Sequence, residues 1–204
     1  MELIGKGKDE MGAVWVARRM PDDMISAHAN HSRIRQFPLK DKENCLYSKD
    51  VISFARKKGY FTGKDKDFSF SEAYAPIDFG AKRYCEARVW SFFNKWAAED
   101  MKPYLPYAMG EDVNPETKQP IDGIPHEMPL WVKPKQFLST QDVKDMMRDH
   151  YEGTPMDITE GLGSLPWNMP YRVTPLSYKV DGKEYFNERP ISTVQSSAIY
   201  VAQM

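Results

Sequence analysis

The sequence predicts an α+β fold, and three features carry that expectation. Short apolar, β-branched runs are bounded by turn residues. Separate segments repeat their apolar side chains with a helical period. Proline-rich stretches interrupt both patterns. A chain of 204 residues, 41% of them hydrophobic, can bury one sizeable core, so a single domain over 1–204 is expected.

The elements follow in chain order. "GAVWVAR", residues 12–18, is small, apolar and β-branched, and reads as a buried strand. "MPDD" is a turn, with Pro21 fixing φ and Asp22 and Asp23 favouring tight bends. "MISAHAN" reads as a second strand, so 12–30 is an expected antiparallel hairpin. Its alternation puts Ile25, Ala27 and Ala29 on one face and Ser26, His28 and Asn30 on the other. "SKDVISFARKKG" is a short helix, with Ser48 as N-cap and Gly59 just past the end.

"AKRYCEARVWSFFNKWAAED" carries the strongest helical signal. Cys85, Val89, Phe92 and Trp96 recur at i, i+4, i+7 and i+11 as one apolar stripe. Residues 103–137 are proline-rich with little periodicity, and read as a long wrapping loop that covers a site or offers a docking surface. "STQDVKDMMRDHYEGT" is a third helix. Ser139 and Asp142 form a capping box, Gly153 closes the end, and Val143, Met146, Met147 and Tyr151 face inward. "GLGSLP", 161–166, is a turn. "YRVTPLSYKV-DG-KEYFNERPIST" is two strands joined by a tight Asp-Gly turn. The final "VQSSAIYVAQM" reads as a strand that stops within an apolar pattern, as in a truncated domain.

Composition narrows the partners. Twenty-eight basic and 29 acidic residues leave a net charge of −1, which gives no electrostatic reason to expect nucleic acid or an anionic membrane. No apolar run approaches the roughly 20 residues of a membrane span. The N-terminal "MELIGKGKDEMG" has no signal-peptide core, and the compartment stays open. Two cysteines make no disulfide framework, and the scattered histidines, His28, His31, His126 and His150, come without third and fourth ligands. No metal and no cofactor is expected.

The chemistry is thin when read from the residues alone. Cys45 sits in a polar loop without an adjacent histidine, and Cys85 lies on the apolar stripe, so both read as structural. No serine elbow appears, and "GLGSLP" lacks the GK[ST] of a phosphate loop. Asn30 ends a strand, where asparagine usually forms a turn, although a fixed side-chain amide can also donate to an oxyanion. Arg83 and Arg88 flank the aromatic part of the long helix. A surface ion pair is the plain reading of Arg83, and Arg88 beside the apolar stripe is the one expected to be partly buried.

Four stretches, "GAVWVARRMPDDMISAHANHSRIRQFP", "FSEAYAPIDFGAKRYCEARVWSFFN", "MMRDHYEGTPMD" and "RPISTVQSSAIYVAQM", together resemble the cysteine dipeptidases related to lactobacillal dipeptidase A. The resemblance implies an N-terminal-nucleophile hydrolase, a four-layer α-β-β-α sandwich in which a processed N-terminal cysteine attacks. Its own α-amine, of pKa about 8, serves as base. It also implies an oxyanion role for Asn30 and a charge-stabilising role for Arg83, with Arg88 the second choice, and dipeptides as substrate. It suggests no role for His150 or Asp157. The chain begins with Met1, so the expectation is a central portion of such an enzyme, inactive alone, its nucleophile carried by another segment, and prone to self-association through exposed strand edges. A non-catalytic peptide- or partner-binding module, and an amidase acting on non-peptide acyl groups, remain the alternatives.

Overall fold

The computed structural model describes residues 1–8, 10–160, 164, 167–170, 177–194 and 196–202. It is a mixture of short strands and helices, an α+β chain, divided into two compact units. Unit 1 comprises Met1–Asp78 with Pro129–Val132. Unit 2 comprises Phe79–Met128 with Lys133–Met204.

Unit 1 is built on a three-stranded antiparallel sheet, with β2 (Ala13–Arg18) between β1 (Glu2–Gly5) and β4 (Cys45–Tyr47). Alternation along β2 sends Val14 and Val16 fully inward. They join Ile34, Phe37, Cys45, Val51, Ala55, Phe68 and Phe70 in one core. The expected hairpin over 12–30 does not form. The second strand, β3, is only Ile25–Ser26, and it pairs with β5 (Trp131–Val132) rather than with β2. Beyond Ser26 the chain leaves the sheet, and Asn30, at a left-handed φ of 60°, breaks the alternation, with Ala29 half-buried and Asn30 exposed. β1, which the sequence reading passed over, takes the place beside β2, with Glu2 opposite Val16.

The short helix is present as α1 (Val51–Lys57), but its N-cap is Asp50, without a side-chain cap bond. Ser48 instead accepts the Trp15 amide on its hydroxyl. Gly59 ends the helix as expected. Its φ is 74°, its amide donates to Arg56 O, and the Tyr60 amide reaches back to Ala55 O. This is a Schellman closure, which needs a residue without Cβ strain. α2 (Phe70–Tyr74) follows, capped by Ser69.

The strongest helical signal is helical throughout, but not uniformly α. α3 (Phe79–Ala81) passes into a π-turn stretch at Lys82–Glu86 and then into α4 (Ala87–Met101). The wider π turn brings Arg83 and Glu86 inward, so the buried face runs through Trp90, Phe93, Ala97 and Met101. Cys85 and Phe92 of the expected stripe are only half-buried. Ala97 leaves helical geometry, at φ −144° and ψ 49°. The Trp96 carbonyl near this kink accepts the Lys135 amide at 3.0 Å.

The segment 103–137 is irregular apart from a helical start, including α5 (Leu105–Ala108), the strand β5 and an isolated bridge between Val113 and Pro120. α6 (Thr140–Met146) has the expected Ser139–Asp142 capping box. It ends well before Gly153, yet Met146 and Tyr151 are buried as anticipated. β6 (Ser177–Val180) and β7 (Lys183–Phe186) form the expected hairpin, with Asp181 and Gly182 both at positive φ. The strand expected over 194–204 is not formed among its described residues. The "GLGSLP" turn lies, apart from Ser164, outside the described residues. No helix among the described residues is long and apolar enough to cross a membrane.

Gly59→Ala should cost about 1 kcal/mol of stability, because alanine at left-handed φ is strained whatever space surrounds it. Urea unfolding of the variant beside wild type measures this.

Candidate functional site

In unit 1 the polar end of β3 is organised from below by one carboxylate. Glu2 faces inward on β1 and is 8% exposed. Its Oε1 accepts the Arg33 amide at 2.7 Å and the Ile34 amide at 2.9 Å, and its Oε2 accepts the Ser32 hydroxyl. His28 Nδ1 lies 3.0 Å from Oε1. Burial raises the pKa of this carboxyl, but the bonds from His28, Ser32 and the two amides outweigh it and hold the group below its usual range.

Arg33 clamps the same stretch from the other side. Its guanidinium donates to Ala27 O at 3.2 Å, Leu130 O at 3.4 Å and Pro129 O at 2.8 Å. Ser26 Oγ donates to Leu130 O at 3.0 Å and lies 3.4 Å from His28 Nε2. Asn30 sits exposed at the turn of this stretch.

Arg83 belongs to unit 2, so the two expected site residues fall in different units. The π turn buries Arg83 to 5% exposure, which overturns the surface-pair reading. Its Nη1 donates to Met109 O at 2.9 Å, its Nη2 to Glu188, and its guanidinium lies 4.6 Å from the centre of the Phe186 ring. Gly110, at φ 70°, lets the chain pass against Phe79 and Arg83. Arg88 is half-buried, with Nε donating to Tyr84 O at 2.7 Å.

A further buried group in unit 2 carries no local signal in the sequence. Asp149 accepts the Ser91 hydroxyl at 2.9 Å, and burial pushes its carboxyl above the usual range against the pull of that bond. Tyr151, fully buried at φ 68°, donates to Arg189 O at 2.7 Å. Asp149 also lines a cavity of about 410 Å³, together with three further carboxylates, Lys95, Arg148 and Trp96.

Neither cysteine is prepared for attack. Burial raises the thiol of Cys45 against Arg18, and that of Cys85 against Arg88. Among the described residues no group of three or more His, Cys, Asp or Glu could hold a metal ion.

The family model described as peptidase family C69 matches residues 1–204. The chain belongs to peptidase family C69. It is 28% identical over 146 residues to a probable dipeptidase of Salmonella dublin, covering 72% of this chain and 30% of that protein. It is 25% identical over 166 residues to a probable dipeptidase of Latilactobacillus sakei, covering 81% and 31%. A dipeptidase of Bifidobacterium longum is 25% identical over 168 residues, covering 79% and 29%. The matched part of the chain thus spans about 30% of the length of these curated relatives.

The depressed Glu2 carboxyl stabilises the fold fully above the ordinary carboxylate value of 4.5, and that contribution is lost as pH falls through the lower folded value. Glu2→Gln should therefore cost about 2–3 kcal/mol near pH 7, with the gap from wild type narrowing on acidification. Asp149 is shifted the other way, so Asp149→Asn should gain on wild type as pH rises from 3.8 through the raised folded value. Urea unfolding between pH 3 and 7 reads both slopes.

Proposed function

We propose that this chain is part of a cysteine-type dipeptidase whose nucleophile is an N-terminal cysteine carried outside these 204 residues. The observation that carries the reading is the C69 match along residues 1–204, together with the dipeptidase names of the relatives. Two facts support the location of the nucleophile. Burial raises both thiols of the chain, which favours their protonated form, and the relatives are about two and a half times as long.

In this reading residues 1–204 contribute to one catalytic domain of the four-layer α-β-β-α sandwich. The cysteine thiolate attacks the dipeptide carbonyl, the amine of the second residue leaves, and water releases the acyl group. Asn30 donates its side-chain amide to the oxyanion. A turn pinned by Glu2 and Arg33 supports that role, since an oxyanion donor must be fixed before charge develops. Arg83 supplies a buried positive charge that stabilises the developing negative charge. Its low exposure supports this, because water screens a buried cation less, with Glu188 as its counter-ion in the resting chain. The exposed apolar side chains Leu3 and Leu46 on the outer sheet face support association with further polypeptide, whether the rest of the enzyme or a second copy.

A dipeptide panel tests the reading. The 204-residue chain should release no amino acids, whereas the longer polypeptide with its N-terminal cysteine should, and alkylation of that cysteine should stop it. In the longer polypeptide Asn30→Gly keeps the left-handed turn but removes the amide, and kcat should fall about 10²–10³-fold. Dipeptide hydrolysis by the 204-residue chain that disappears in Cys45→Ser or Cys85→Ser would overturn the assignment.

A further inference from the structure

The polar end of β3 holds an arrangement that cysteine chemistry does not use. His28 stands between Glu2 Oε1, 3.0 Å from Nδ1, and Ser26 Oγ, 3.4 Å from Nε2. The tautomer follows from the carboxylate. Glu2 accepts the Ser32 hydroxyl and the amides of Arg33 and Ile34, all groups that favour its ionised form. An ionised carboxylate only accepts, so the hydrogen of the Glu2–His28 bond sits on Nδ1. In the neutral ring Nε2 then carries the lone pair, on the side of Ser26.

The Ser26 proton has two acceptors in reach, Leu130 O at 3.0 Å and His28 Nε2. Leu130 O also receives Arg33 Nη1 at 3.4 Å. The proton can therefore turn to His28 without leaving a carbonyl orphaned. A serine–histidine distance of 3.4 Å is within what unliganded sites show before substrate tightens them. The His28 side chain is 39% exposed and Ser26 half-buried, so a small substrate can reach both.

We propose that Ser26, His28 and Glu2 form a nucleophile–base–acid relay that cleaves small acyl esters without a cysteine. Ser26 Oγ forms a bond to the acyl carbon while its proton passes to His28 Nε2, and Glu2 stabilises the imidazolium through Nδ1–H. Arg33, which shares Leu130 O with Ser26, sets a fixed positive charge beside the serine as the oxyanion develops. Collapse breaks the bond to the alkoxide, which takes the Nε2 proton and leaves as an alcohol. Water then gives a proton to Nε2 and its oxygen to the acyl carbon, and Ser26 regains its proton as the acid departs. Nothing is oxidised or reduced.

The test uses the 204-residue chain, p-nitrophenyl acetate and a fluorophosphonate probe mapped by mass spectrometry. The phosphonate should appear on Ser26. Ester hydrolysis should fall about 100-fold or more in Ser26→Ala and in His28→Gln, with both variants folded by circular dichroism. Cys85→Ser should leave hydrolysis and labelling unchanged. Labelling on another residue, no labelling at all, or hydrolysis unaltered by His28→Gln would each overturn the relay. None of these outcomes bears on dipeptide cleavage by the longer polypeptide, which depends on a cysteine.

Discussion

The geometry of unit 1 depends on a carboxylate placed where water is scarce. Isolated burial of Glu2 would cost several kcal/mol. Four donors offset that cost, one imidazole, one hydroxyl and two backbone amides, and all of them lie between residues 28 and 34. The carboxylate thus dictates how the stretch after β3 must lie, because any other path would leave it unpaired. The turn at Asn30 is part of that path. Asparagine is among the few side chains that accept a left-handed φ at modest strain, and the reversal brings the following amides back over β1. Arg33 completes the arrangement by taking three carbonyls, two of them from the distant 129–130 segment. Position and charge are fixed together, which is what a site requires of its scaffold.

Unit 2 solves a similar problem with the opposite charge. A guanidinium at 5% exposure loses most of its hydration. A carboxylate, a carbonyl and an aromatic face replace it, drawn from Glu188, Met109 and Phe186. The π turn makes this possible, since it rotates Arg83 inward without ending the helix. The β6–β7 hairpin is tied to the helix by the same contacts, with Phe186 edge-on to Phe79 and Tyr84.

The fold was legible where a local pattern decides it. Caps at Ser139 and Gly59, the Asp-Gly turn and the helical period around Trp90 each depend on neighbours in sequence. Pairing was not legible in the same way. β2 has strong alternation, but alternation names a face, not a partner, and the partners proved to be β1 and β4. The site shows the same division. Asn30 and Arg83 were singled out only through the family resemblance, whereas Glu2 gave no signal. Its role arises from a contact about thirty residues away, across a strand with only four members. The π turn was invisible for a related reason. A single extra residue per turn barely disturbs the apolar period, yet it decided whether Arg83 or Cys85 faced inward.

The two nucleophile types of the chain are separated by the same physics. A thiol needs a stabilised anion to react, and burial works against that anion at both Cys45 and Cys85. Arg18 and Arg88 pull the other way but less strongly, so the net displacement is upward in each case. A serine needs no free anion, because its proton leaves only as the new bond forms. What it needs is a base already facing it, and that orientation is set by the carboxylate behind the ring. Desolvation that disables the thiols therefore leaves Ser26 unaffected, while the ionised Glu2 fixes which nitrogen of His28 can accept. Attack by a cysteine requires a thiol placed differently from the two found here, whereas the groups for attack by a serine lie within one turn of chain and one strand.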